Sequence, residues 1–169
     1  MLFLPPSPPA VVAAERQTPP LPLSFIGFRA GMSVAEAAAL AKAAGGTLAC
    51  KPASDTRIRE CQGTFPFYGL STPFSVLISS VNDSAAVIVL TNRMPGNAAE
   101  RWASALTMDF GTPNQNREQG VQMTWEWIRR GQMLRVVERK VVDHMEVAVT
   151  LTDGPLLDNL GPPKRKRPD

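Results

Sequence analysis

Two cysteines, one histidine and three tryptophans are the residues whose chemistry could go beyond packing in this sequence. Cys50 and Cys61 flank a polar stretch containing Pro52, Ser54 and Asp55, which suits a turn between two strands. On successive antiparallel strands their Cα atoms would approach within about 4.4–6.8 Å, the range a disulfide needs. Closing so short a loop stabilises a domain by roughly 2–3 kcal/mol, and a disulfide points to an oxidising compartment. The competing reading is a pair of reduced core thiols. Thr47-Leu48-Ala49-Cys50 has the outline of a lipidation box, but Glu36, Lys42, Gly45 and Gly46 interrupt any export signal before it. Two cysteines and a single histidine fall short of the four ligands of a structural zinc site, so no metal is expected.

Asp143-His144 has the composition of half a catalytic dyad. A Ser-His-Asp or Cys-His enzyme also needs a nucleophile in hydrogen-bond reach and an oxyanion site. No nucleophile elbow, phosphate-cradling glycine loop or metal motif accompanies this histidine. Neighbours on a turn or strand also point apart. Asp153 and Asp158 could be read as paired carboxylates, but Asp153-Gly154-Pro155 is ordinary turn chemistry. The sequence therefore offers no catalytic residue and no cofactor-binding residue, and an enzyme is the less favoured class.

The aromatic residues allow two readings. Trp102, Trp125 and Trp127 could line a pocket between a helix and a sheet, as a small-ligand binder or enzyme would require. With Arg130-Gly131 as a two-residue turn, however, Trp127 faces Leu134, Trp125 faces Val136 and Glu126 faces Arg135. That register favours the rings as core. The opposite phase of the same strands carries Glu126, Arg135, Arg139, His144 and Glu146. Such a face is either solvated or a surface for a protein partner, extended by strand addition at an edge.

These residues need elements to hold them. Ser33-Val34-Ala35-Glu36 is a capping box opening a helix to about Ala44, with Val34, Ala37, Leu40, Ala41 and Ala44 on one face. Gly45-Gly46 ends it. Strands are expected at Thr47–Lys51, Arg57–Phe65, Phe74–Val81 and Ala85–Thr91, the last two forming a hairpin. Asn97 caps a second helix to about Met108, presenting Ala98, Trp102, Ala105 and Leu106. After a polar loop at 114–120 come strands Gln122–Arg129, Gln132–Arg139 and His144–Thr152. The expected fold is α+β: two helix-plus-antiparallel-meander units, α-β4-α-β3, with the helices on one face of the sheet.

Charge bounds the partners. The 18 Lys and Arg and 15 Asp and Glu become 14 of each once Lys164, Arg165, Lys166, Arg167 and Asp169 are set aside. A neutral body lacks the positive field that nucleic acids demand, so none is expected as a partner. The chain divides into a proline-rich segment 1–22, a single domain 23–160 and a basic tail 161–169. Val12-Ala13-Ala14 before Glu15 has the form of a signal cleavage site, whereas Pro5, Pro6, Pro8 and Pro9 suit a proline-rich tail instead. No apolar run reaches the roughly 20 residues of a transmembrane helix. Oligomeric state has no signature here.

Two segments resemble the BamE-like (SmpA/OmlA) lipoproteins and the β-lactamase-inhibitor-type fold. They are Phe28-Arg29-Ala30-Gly31-Met32-Ser33 opening a helix, and Phe110-Gly111-Thr112-Pro113 leading through a polar loop to Thr124-Trp125-Glu126-Trp127. The resemblance implies export and a role in binding proteins without chemistry. Members that are lipoproteins carry an acylated cysteine near the N-terminus, and here no cysteine precedes Cys50. The expectation is an exported domain, periplasmic or secreted, that binds another protein through the sheet face or an edge strand. A small-ligand binder or enzyme, and a cytoplasmic location, are the alternatives.

Overall fold

The computed structural model describes residues 21–94, 96 and 98–161. Residues 1–20 of the proline-rich segment with its signal-like Val12-Ala13-Ala14, the Asn97 cap and the basic tail beyond Gly161 lie outside the described residues.

The chain opens with a two-stranded ribbon, β1 Ser24–Phe25 and β2 Phe28–Arg29, followed by helix α1, Val34–Ala43. The capping box forms as the sequence requires. Ser33 Oγ accepts from the Glu36 amide at 3.1 Å, and the Glu36 carboxylate accepts from the Ser33 amide at 2.8 Å. Four strands follow: β3 Thr47–Pro52, β4 Ile58–Phe65, β5 Phe74–Val81 and β6 Ser84–Met94. Helix α2 spans Ala98–Phe110. Then come β7 Gln115–Gln119, β8 Gln122–Arg129, β9 Gln132–Lys140, β10 Met145–Asp153 and a short helix α3, Gly154–Asp158.

This architecture overturns the expected α+β arrangement of α-β4-α-β3 units. The protein is mostly β, with half of its described residues in strands and a fifth in helices. All the long strands belong to one antiparallel sheet ordered β3-β4-β5-β6-β10-β9-β8-β7. The physical reason is the seam between β6 and β10. Val87 to Met94 pair continuously with Met145 to Thr152, and both strands are too apolar on one face to stand as edges. The polar loop at 114–120 is in fact β7, every residue of which is exposed. An edge strand with two wet faces needs no apolar alternation, so the pattern that reveals strands was absent there.

One face of the sheet is covered. Val76, Ile78, Ile88, Leu90, Leu134, Val136, Val149 and Leu151 join Ala37 and Ala41 of α1, and Ala99, Ala103 and Leu106 of α2, in one core. Phe25 and Phe28 of the ribbon belong to it too. In α2 the expected inward residue Ala105 is exposed, and Ala103 and Phe110 take its place. The tight hairpins use paired left-handed residues, Asn82 (φ 49°) with Asp83 (φ 64°) and Arg130 (φ 49°) with Gly131 (φ 78°), as two-residue antiparallel turns prefer.

The outer strand β3 is held covalently. Cys50 and Cys61 are directly opposed in the β3–β4 ladder and form a disulfide, their Cα atoms 3.9 Å apart. That lies just under the expected window. Backbones are close here throughout: a Cβ on Gly63 would stand 1.8 Å from the Thr47 carbonyl oxygen. Only glycine fits at that crossing.

Candidate binding face

Because side chains alternate, the residues out of phase with the core form a second, open face whose rows follow from register. One row runs Arg117–Thr124–Val137–Ala148–Thr91–Ser75–Thr64–Thr47 across all eight strands. The next runs Gln115–Glu126–Arg135–Thr150–Val89–Leu77–Gln62–Ala49. The centre of the face is thus small or aliphatic, with Leu77 41% exposed. Charge gathers on the β8–β10 side and along the seam, and Lys51 faces Glu60 at the β3–β4 end.

A depression of about 520 Å³ opens on this face, with Thr91, Val137 and Ala148 among its lining residues and Arg93, Arg139 and Glu146 beside them. The charged residues belong to one row, Gln122–Arg139–Glu146–Arg93. Of the residues proposed from sequence as a binding face, Arg139 and Glu146 line the depression, and Glu126 and Arg135 stand four residues along their strands from the Gln122–Arg139 step of that row. Two nitrogens of Arg135 donate to Glu126 Oε2, at 2.7 and 2.6 Å. The Glu126 side chain is only 6% exposed, so this pair is an anchored element of the sheet rather than a free contact.

His144 lies in the β9–β10 turn. Its Nδ1 is 2.6 Å from Asp143 Oδ1, so these sequence neighbours meet, contrary to the expectation that a turn or strand parts them; the turn itself brings the two side chains together. That bond is the main reason the Asp143 carboxyl titrates below its ordinary range. His144 Nε2 faces Glu146 Oε1 at 3.7 Å. The imidazole therefore sits between two carboxylates, not between a carboxylate and a nucleophile.

Trp125 and Trp127 are placed inside, and Trp102 is half-buried against the core. Trp127 is 1% exposed, and its indole N–H donates to the Gly111 carbonyl at 2.8 Å, tying the end of α2 to β8. Trp125 lies on the same inward phase. Trp102 packs against Phe25, Phe67 and Phe74, at centroid distances of 5.1, 6.4 and 5.5 Å. None of the three lines the depression. Asp153 caps α3, accepting from the Leu156 amide at 3.1 Å and from Gln132 Nε2 at 2.9 Å, while Asp158 ends that helix.

Two residues escaped sequence reasoning. Arg93 lies past Thr91, where the strand was expected to stop, though continuing the Thr91 phase by two positions finds it. Glu138 occupies an inward position after Leu134 and Val136. It is 8% exposed, and among the described residues its Oε2 has no hydrogen-bond partner. Burial first, and then the charge of Glu100 on α2, push its carboxyl above the ordinary value of 4.5. Among the described residues no cluster of three or more metal-ligating side chains forms, and no helix is long and apolar enough to cross a membrane. The chain matches no family model, no curated protein and no solved structure.

Proposed function

We propose that the protein is a non-enzymatic, exported domain that binds another protein through the open face of its sheet. The observation that carries this reading is the face itself: rows of Ser, Thr, Val, Ala and Leu around a depression, opposite the helix-covered core. Such a surface offers shape and apolar area with a charged rim, as protein interfaces do. The Cys50–Cys61 disulfide supports an oxidising compartment. The resemblance of the Phe28–Ser33 and Phe110–Pro113 turns to exported protein-binding families points the same way.

A photo-crosslinking residue in place of Leu77 tests it, with the same residue at Met108 as control, in the exported fraction of the source cells. Met108 is exposed on α2, the helix that packs against the opposite, covered face. A discrete product is expected from position 77 alone, and Thr150→Arg should abolish it without lowering the thermal midpoint. Equal products from both positions, or none from 77, would end the proposal.

A further inference from the structure

We infer that the depression is an anchor for an acidic side chain of the partner, held between Arg93 and Arg139 over a floor of Val137 and Ala148. This deepens the reading above and rests on it. Opposite charges facing each other across a ladder ordinarily pair, and Glu126 with Arg135 does so on this same face. Glu146 is the register partner of both Arg93 and Arg139. Yet among the described residues it forms no ion pair with either, and its Oε1 is turned toward His144 at 3.7 Å. Among the described residues neither guanidinium lining the depression makes a hydrogen bond or ion pair, and Arg93 acts on the nearby Asp143 carboxylate only through space. A guanidinium matches a carboxylate through paired N–H donors. The small floor beside it accepts an aliphatic stem, so a glutamate or aspartate on an extended, aliphatic segment is the fitting occupant.

The probe is the peptide acetyl-Ala-Val-Glu-Ala-amide, titrated into the ¹⁵N-labelled full chain, with the Gln analogue as control. The acidic peptide should shift the amides of Thr91, Arg93, Val137, Arg139 and Ala148 saturably. The Gln analogue, and separately the R93Q/R139Q variant, should weaken that response about tenfold, the scale of a charge-assisted bond. R130Q, in a turn outside the depression, should leave it unchanged. An undiminished spectral dispersion shows that the double variant still folds. Equal shifts from both peptides would overturn the carboxylate anchor while leaving the protein-binding face intact. Shifts confined to Lys164–Arg167, or none on the face, would overturn the anchor as well. The crosslink from position 77 then judges the broader reading by itself.

Discussion

The two halves of the sheet secure their outer strands by different means. On the β3–β6 side the outermost strand is stapled by the Cys50–Cys61 disulfide and pressed against β4 across Gly63. On the β7–β10 side the outermost strand, Gln-Asn-Arg-Glu-Gln, has no such bond. Its entry is fixed by Asn114, whose side-chain oxygen accepts from the Ile128 amide at 2.7 Å and so continues the ladder. Behind it stand the Glu126–Arg135 pair and the Trp127 bond to Gly111. One half is made rigid by covalent closure, and the other by polar groups that also supply part of the charge of the open face. The charge beside the depression straddles the seam, with Arg139 and Glu146 from the half held without a crosslink and Arg93 from the other.

Reduction is the strongest way to break this contrast. Dithiothreitol, or C50S/C61S, should lower unfolding free energy by roughly 2–3 kcal/mol and leave the domain folded. Amide exchange should accelerate in β3 and stay unchanged in β7; a uniform loss would show that the halves are not separately held. Next comes Arg135→Ala, which strands the buried Glu126 carboxylate. The loss should be about 2 kcal/mol, below that of a fully buried pair because Arg135 is partly solvated. Arg139→Ala, four residues along the same strand and unpaired among the described residues, should stay within about 0.5 kcal/mol in the same urea titration,. Trp127→Phe removes the indole donor while keeping an aromatic ring, for about 1 kcal/mol.

The smallest effect is a pH dependence. The Glu138 carboxyl is raised in the folded chain, so the folded state holds this proton where the unfolded chain has lost it. Its contribution to stability is fully present below the ordinary value of 4.5 and falls as pH rises through the folded value,. Glu138→Gln should match the wild-type unfolding midpoint at acid pH and exceed it at neutrality. A constant offset at every pH would remove Glu138 as the titrating group.

What could be read from sequence was set by local chemistry. The Ser33–Glu36 box, the Arg130-Gly131 turn with its Trp127–Leu134 register, and the opposed cysteines all depend on near neighbours, and each appears in the structure. The β6–β10 seam depends on a choice between distant strands that no local pattern encodes, and missing it led to separate units where there is one sheet. Strand β7 was illegible because Gln115 to Gln119 buries nothing. The depression was half legible: Arg139 and Glu146 lay on a phase already marked, but only the seam brings Arg93 beside them.

The seam also governs how the chain reaches this structure. Its eight residue pairs join the middle of the sequence to its last long strand, so everything between must be gathered before the ladder can zip. Contacts of such range cost loop entropy before they return any stabilisation, and domains dominated by them fold in roughly milliseconds to seconds. Until that moment β6 presents an apolar, unpaired edge. The interval between synthesis of Met94 and arrival of Met145 is when this protein is most exposed to aggregation.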